Sequence, residues 1–322
     1  MSAVTALRLP PGVLGAETGV VAQVVDARWL MAYAAALGET DARFYDTLAP
    51  AGPLAHPLFS VCYEWPPLVT LRERVIGDEL APLGVHATHD LVVTRIPRAG
   101  ETVTTTARVI AIERRRSGTL LVARLTTVDA AGALLTTTDY GSVYRGVEPS
   151  ETGRLAAPLG SDLGEAATSA AAEGRTSRPP GGVGGLGGRP EPPNSNQIRP
   201  EPPNFSWTEC VDVAAGAAHV YTECARIWNP IHTDAAVARA AGLPAIILHG
   251  TATLALAVSR VVARELGGDA SRVRRIVARF TGFVRVPSTL TVRGRGRAGA
   301  AIAFDALGPD GAPVLGQGVL TA

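Results

Sequence analysis

The chain has 322 residues, of which 24 are proline and 35 are glycine, and its formal net charge is +1. It contains no lysine, so all 30 basic residues are arginine, and mechanisms that need a Schiff-base lysine, such as the usual pyridoxal-phosphate chemistry, are excluded. The balance of 30 basic against 29 acidic residues provides no overall field for holding nucleic acid, and the three cysteines are too few and too scattered for a disulfide framework or a zinc site.

The sequence shows no signal for a membrane. No N-terminal segment joins a basic region to a long apolar run, and no window of about eighteen residues is apolar throughout. We therefore expect a cytoplasmic protein with no membrane partner.

A low-complexity segment divides the chain. From residue 151 to 204 the sequence is poor in large apolar side chains, and its second half is dense in glycine and proline. Such a composition cannot bury enough surface to offset the entropy of ordering the chain, so we predict a flexible linker. It separates a first unit, residues 1–150, from a second unit, residues 205–322, and both have the size of an ordinary domain.

The first unit begins with a helix and continues in strands. A helical pattern over residues 28–37 leads into the segment GETDARFYD, and alternating β-branched residues then predict four strands. The predicted strands cover residues 91–96, 102–115, 119–129 and 133–145.

The second unit repeats this order. Its segment RIWNPIHTD corresponds to GETDARFYD, so that Asp234 matches Asp46 and His232 matches Phe44. An apolar helix is predicted over residues 251–266. Strands are predicted over residues 274–286, 289–296, 301–307 and 313–322. Two copies of a long helix against a curved antiparallel sheet make an α+β fold.

One short motif of the second unit carries the chemistry. It consists of Asn229, Pro230 and His232, followed after the segment AGLPAIIL by His249 and Gly250. Histidine suits acid–base catalysis because its pKa lies near neutrality. The amides at the start of a helix have no intrahelical partner and favour negative charge.

This motif resembles that of the MaoC-like dehydratases and (R)-specific enoyl-CoA hydratases, whose hot-dog domain has a loop of the form D-x-N-P-[LI]-H. The resemblance covers both units and implies a double hot-dog fold with a degenerate first unit. It implies a lyase that adds water to, or removes it from, an acyl thioester. By resemblance, His232 is the general acid/base, Asn229 holds water or the neighbouring loop, and the amide of Gly250 polarises the thioester carbonyl. His249 is expected to brace the loop. Coenzyme A or phosphopantetheine enters as part of the substrate, and no separate cofactor or metal is implied.

The chain departs from the family motif at one position. The family has an aspartate five residues before the histidine, and here that residue is Ile227, which cannot carry a proton. Three interpretations stay open. Another acid reaches the site, with Glu223, Asp234 and Tyr221 as candidates; His232 works alone with a water molecule; or the site has lost hydration. Asp234 is first of all expected to cap the following helix.

The first unit has lost the motif. Phe44 stands at the histidine position, Asp41 at that of Asn229, and Glu39 at that of Ile227. A carboxylate at Glu39 or Asp41 is either a relic or reaches across the interface between the units.

The long helix of the first unit is predicted to break. Pro66 and Pro67 cannot continue a helix interior, and in two-unit members of the family a shortened central helix leaves room for a bulky acyl chain. We hypothesise that this break opens an apolar tunnel lined by residues such as Phe59, Tyr63 and Trp65.

The sequence signal for a phosphate-binding site is weaker than the signal for the histidine motif. Arg279 and Arg285 belong to a run of arginines along the predicted strand 274–286, and the guanidinium group matches phosphate oxygens. In a chain without lysine, however, every solubilising positive charge has to be arginine.

Two rival functions also stay open, a hot-dog thioesterase and a non-catalytic protein that binds acyl thioesters. Since hot-dog units generally pair, the fused pair can itself form a homodimer.

Overall fold

The computed structural model describes residues 7–159 and 205–322. Most of the predicted linker therefore lies outside the described residues. Residues 151–159 of the predicted linker are described. They include a short strand, β6 (Gly153–Arg154), that pairs with a strand of the first unit. The predicted boundary at residue 150 is thus too early, because this strand continues the sheet of the first unit.

The described part of the first unit has two helices, the four strands that the sequence predicts and one further strand, β1 (Val21–Val24), that it does not. The helices are α1 (Ala27–Ala36) and α2 (Ser60–Val75). The strands are β1 (Val21–Val24), β2 (Gly84–Val93), β3 (Thr102–Arg115), β4 (Gly118–Asp129) and β5 (Leu134–Arg145). The predictions for α1 and β3 to β5 are confirmed to within one residue at each end, whereas β2 begins seven residues before its predicted start and ends three residues before its predicted end.

The second unit repeats this composition. Its helices are α3 (Ala217–Ala225), α4 (Ala235–Ala240) and α5 (Gly250–Glu265). Its strands are β7 (Trp207–Val213), β8 (Arg275–Phe280), β9 (Ser288–Ala298), β10 (Ala301–Leu307) and β11 (Pro313–Thr321). The strand predicted over residues 274–286 ends at Phe280, because the following residues pair with the segment before α5: the amide of Leu248 donates to the carbonyl of Val284 at 2.8 Å.

All strands belong to one sheet. Its order is β1-β3-β4-β5-β2-β8-β11-β10-β9-β7, with β6 beside β3. The second half of this order mirrors the first, which confirms the predicted duplication. The two units meet where β2 pairs antiparallel with β8, and there Arg275 donates two hydrogen bonds to the carboxylate of Asp90, at 2.9 and 2.7 Å. The architecture is an α+β double hot-dog, as predicted.

The helix α2 runs through both prolines without a break, so the predicted break is wrong. A proline at position 67 cannot donate to the carbonyl of Tyr63, four residues earlier. The side-chain amide of Gln23 donates to that carbonyl instead, at 2.6 Å. A partner from a distant strand thus satisfies the group that the proline leaves free.

The two units share one apolar core. A single cluster of buried side chains combines residues of α1 and α2 with residues of α3 and α5. Near its centre the phenol oxygens of Tyr33 and Tyr221 lie 3.3 Å apart, which links α1 of the first unit to α3 of the second. Within the described part of the chain, no helix combines the length and the apolar character that crossing a membrane requires.

Candidate active site

A cavity of about 420 Å³ lies between the two units. One wall comes from the second unit and contains His232, His249 and Gly250; the other comes from the first unit and follows one face of α2. The site is therefore made by the contact of the two units, and neither unit builds it alone.

The loop before His232 sets the position of its ring. The helix α3 ends at Arg226, whose φ of 58° turns the chain into this loop. Asn229 then caps a single 3-10 turn, Pro230–His232, by accepting a hydrogen bond from the amide of Ile231 at 3.4 Å. The carbonyl of Ile247 lies 2.9 Å from Nδ1 of His232. Because a carbonyl only accepts, Nδ1 carries the proton and Nε2 is left as a base.

The rings of His232 and His249 stack with their centroids 3.7 Å apart. Burial lowers the pKa of His232 to about 4, so this imidazole is neutral at physiological pH. Burial, with the neighbouring His232, also lowers the pKa of His249 well below its usual value. The hydroxyl of Thr222 donates to the carbonyl of Ala218 and so accepts from Nε2 of His249, at 3.2 Å. His249 therefore holds the His232 ring from behind.

Gly250 opens the helix α5 on the cavity wall. No side chain caps this helix start, so its first amides are available to an oxygen in the cavity. A Cβ atom on Gly250 would lie 3.2 Å from the ring of Phe280. A side chain at this position would therefore require the Phe280 ring to move by a few tenths of an ångström.

The structure does not bring any of the three candidate acids to the cavity. Glu223 is exposed. Asp234 accepts hydrogen bonds from the amides of Ala236 and Val237, as expected of a helix cap. Tyr221 is buried against Tyr33 outside the cavity lining, and burial raises the pKa of its phenol well above the usual value.

Several ionisable side chains of the opposite wall were missed by sequence reasoning. Among them are Glu64 on α2 and His86 and His89 on β2, all of which line the cavity. His86 stacks on Tyr140 with ring centroids 3.7 Å apart. Both ring nitrogens of His89 are buried without a hydrogen-bond partner among the described residues. No local motif marks these residues, because they belong to the unit that has lost the motif.

Two of the four predicted substrate-binding residues line the cavity and two do not. Arg279 and Trp65 line the cavity. Arg285 is exposed and lies outside its lining. Tyr63 and Phe59 are fully buried on other faces of the helix segment: the phenol of Tyr63 meets the hydroxyl of Thr136 at 3.1 Å, and Phe59 packs edge-on against Trp29. The tunnel hypothesis is therefore wrong for Tyr63 and Phe59.

The degenerate motif of the first unit borders a second cavity of about 360 Å³. Phe44 ends a 3-10 turn capped by Asp41, just as His232 ends a turn capped by Asn229. Glu39 does reach across the interface, since it accepts a hydrogen bond from Ser259 of α5. It faces this second cavity and not His232.

These features define a double hot-dog protein with a site between its units that contains the motif histidine, His232. A family model described as MaoC like domain matches residues 212–299, and one described as FAS1-like, dehydratase domain region, matches residues 12–138. The chain therefore contains a MaoC-like dehydratase domain in its second unit and a FAS1-like dehydratase region in its first.

Relatives of known sequence cover only parts of this chain. It is 34% identical over 111 residues to the enoyl-CoA hydratase ChsH3 of Mycobacterium tuberculosis, which covers 34% of this chain and 38% of that protein. It is 38% identical over 63 residues to the peroxisomal enoyl-CoA hydratase 2 of Arabidopsis thaliana, which covers 20% of each. The chain thus matches less than two thirds of the length of either relative.

Solved structures match over nearly the whole chain. The MaoC-like dehydratase from Phytophthora capsici has a TM-score of 0.72 at 20% identity and covers 96% of both chains. The protein RV0216 of Mycobacterium tuberculosis, described as having a double hotdog fold, has a TM-score of 0.53 at 16% identity and covers 96% of this chain and 95% of that one. At these identities the likeness concerns the fold.

Proposed function

We propose that this chain is a hydro-lyase that reversibly adds water to 2-enoyl thioesters to give 3-hydroxyacyl thioesters. One observation carries the proposal: a neutral imidazole with a free Nε2 and an uncapped helix start line the same cavity, since His232 stacks on the residue that precedes Gly250. The enoyl-CoA hydratases among the matching proteins support the same reaction type.

Each of the two groups has a distinct part in the reaction. The amide of Gly250 donates to the thioester oxygen, which becomes enolate-like when water attacks C3. His232 takes the proton of the attacking water at Nε2, while its Nδ1–H stays on the carbonyl of Ile247. In the reverse direction the protonated His232 returns this proton to the leaving hydroxyl. Asn229 fixes the loop that carries the ring.

The acyl chain fits the wall of the first unit. Leu68, Leu71 and Leu125 give this part of the cavity an apolar surface that suits a hydrocarbon chain. The exposed Arg279 lies at the other side, where a phosphate of coenzyme A or of phosphopantetheine can meet a guanidinium group. We also propose, from the sequence alone, that the protein is cytoplasmic and forms a homodimer.

The test is a hydration assay on the purified chain. Crotonyl-CoA and 2-hexenoyl-CoA are supplied, and loss of the enoyl absorbance is followed together with release of free thiol. We expect 3-hydroxyacyl-CoA with the thioester intact. Release of free thiol would show a thioesterase instead, and binding of both thioesters without turnover would show a non-catalytic binding protein.

A further inference from the structure

Hydration of an enoyl thioester moves two protons, and the second unit supplies only one carrier for them. Water loses a proton when its oxygen joins C3, and C2 must gain one. His232 accounts for the first proton. The residue at the family's acid position, Ile227, is buried and apolar, so the second proton needs a donor from elsewhere on the cavity wall.

Glu64 is the one carboxyl group among the described residues that line this cavity. It lies on α2, the central helix of the first unit, and its wall faces the wall that carries His232. The residues of α2 that line the cavity recur on one face of the helix, as their spacing of three and four residues requires. They are Val61, Glu64, Trp65, Leu68, Leu71, Arg72 and Val75.

The surroundings of Glu64 raise the pKa of its carboxyl group into the neutral range, so that the acid and the carboxylate are both populated there. The side chain is buried, with 4% of its surface exposed, and no cationic side chain of the described residues forms an ion pair with it. The hydroxyl of Thr138 donates to its Oε1 at 2.6 Å. Burial raises the pKa of Glu64 to about 7, and the bond from Thr138 partly opposes that rise. A buried, unpaired carboxyl costs stability, which is typical of a group retained for chemistry.

We propose that Glu64 is a second catalytic residue, which gives its proton to C2 of the bound enoyl thioester. This inference rests on the proposed hydratase function. As the water oxygen bonds to C3, His232 gains the water proton, the C2–C3 double bond moves its electrons toward the thioester oxygen, and C2 then takes the proton of Glu64. The product leaves Glu64 ionised and His232 protonated, and one proton passing from His232 to Glu64 through solvent restores the starting state.

Other ionisable groups face the same space and enter any pH profile. From the first unit these are His86 and His89 on β2, Tyr140, Tyr144 and Arg145 on β5, and Arg72 on α2; from the second unit they are His232, His249 and Arg279. Burial lowers the pKa of His89 to about 4 and raises that of Tyr140 well above its usual value. Among these groups whose pKa is shifted to a stated value, Glu64 is the one expected to change charge near pH 7.

The first test replaces the carboxyl group by its amide. Glu64→Gln keeps the size of the side chain and an oxygen for Thr138, but it cannot donate an acidic proton. We expect kcat/KM for 2-hexenoyl-CoA at pH 6 to fall on the order of 10²- to 10³-fold. The matched control is Glu73→Gln on the same helix, where the side chain is exposed and outside the cavity, and it should keep the wild-type rate.

The second test shifts the pKa of Glu64 without removing its carboxyl group. In the wild type, kcat/KM should fall above about pH 7, because Glu64 must be protonated to donate. Thr138→Val removes the hydrogen bond that favours the carboxylate, so this limb should move to higher pH while the maximal rate is kept. In Glu64→Gln the limb should disappear. A purely structural role for Glu64 would move none of these limbs.

The outcomes separate this inference from the proposed function. A wild type that hydrates no enoyl thioester overturns the proposed function. An active wild type whose rate and pH limb are unchanged in Glu64→Gln overturns the role of Glu64 alone. If Glu64→Gln fails to fold by circular dichroism, Thr138→Val decides, and a limb that stays in place in that variant also overturns the role.

Discussion

The rings of His232 and His249 stack with their planes inclined by 26°, and each ring is fixed by a different hydrogen bond. Nδ1 of His232 donates to the carbonyl of Ile247, whereas Nε2 of His249 donates to Thr222. Each neutral ring keeps one unprotonated nitrogen: Nε2 of His232, and Nδ1 of His249, which is buried without a hydrogen-bond partner among the described residues. In the proposed reaction His232 accepts the proton at Nε2, and His249 holds the His232 ring in place.

Replacing the basic ring should abolish most of the activity. For His232→Gln we expect kcat/KM for 2-hexenoyl-CoA to fall on the order of 10²- to 10⁴-fold, the usual contribution of general acid–base catalysis. In the wild type the acid limb of kcat/KM should lie near pH 4, because the ring must be neutral and burial lowers its pKa to about 4. The comparison variant is His219→Gln, an exposed residue outside the cavity lining. Equal rates in the two variants would remove His232 from the mechanism.

A methyl group at position 250 should disturb the helix start. Gly250→Ala places a Cβ atom 3.2 Å from the ring of Phe280, so either the ring or the amide of residue 250 has to shift. Since removal of one oxyanion donor costs about 10²- to 10³-fold in kcat, we expect a displaced donor to cost about tenfold. The double variant with Phe280→Leu should recover most of the loss, and Phe280→Leu alone serves as its reference. Full activity of Gly250→Ala would contradict the close contact.

An acid at the family's usual position should replace Glu64. Ile227 is buried in the same cavity. We therefore expect the double variant Ile227→Asp, Glu64→Gln to have a kcat/KM at least about tenfold higher than Glu64→Gln alone, since a positioned acid contributes about 10²-fold or more. Ile227→Asn in the same background has a similar size but no acid, and it should restore nothing. Both should be less stable than the wild type by about 1–3 kcal/mol, because a polar group replaces a buried apolar one. Equal rescue by both variants would exclude proton transfer from position 227.

The ion pair at the joint between the units should contribute to stability in a pH-dependent way. Arg275 and Asp90 pair where β8 meets β2. Burial raises the pKa of Asp90, and Arg275 opposes that rise. Without Arg275 the partly buried carboxylate loses its ion-pair partner and keeps only the attraction of Arg124. Arg275→Leu should therefore lower the free energy of unfolding by about 2–3 kcal/mol. The loss should be larger at pH 8 than at pH 5, because the folded state of the variant is stabilised when the raised pKa lets Asp90 bind a proton.

Urea unfolding of Arg275→Leu at the two pH values measures this effect. The control is Arg297→Leu, an exposed arginine that donates only to the carbonyl of Gly299, and it should change stability by less than about 0.5 kcal/mol. A loss in Arg275→Leu that is the same at pH 5 and pH 8 would show that the ionised carboxylate is not the cause.

The capped turns of the motif are predictable because their interactions are local. Asn229 and Asp41 each accept from an amide two residues ahead, and Asp234 accepts from the amides two and three residues ahead. Such contacts depend only on spacing along the chain. The strands β3 to β5 follow from alternation in the same way. The family motif and the duplicated order of elements are therefore visible in the sequence.

The failed predictions depend on distant contacts. The helix α2 continues past Pro66 and Pro67 because Gln23 satisfies the carbonyl of Tyr63, and those two residues are 40 positions apart in the sequence. The acids expected near His232 were chosen by sequence distance, but Glu223 points to solvent. Glu64, which comes from the other unit, is the carboxyl group that reaches the cavity.

The amino-acid order alone determined the local elements, the capped turn that carries His232 and the uncapped start of α5, since hydrogen bonds between near neighbours fix these features. Only the tertiary structure decided which groups share the cavity. The pairing of β2 with β8 joins the strands of the two units into one sheet, and this joint places the central helix of one unit opposite the motif of the other. Packing between segments more than a hundred residues apart sets that meeting, and no local pattern encodes it.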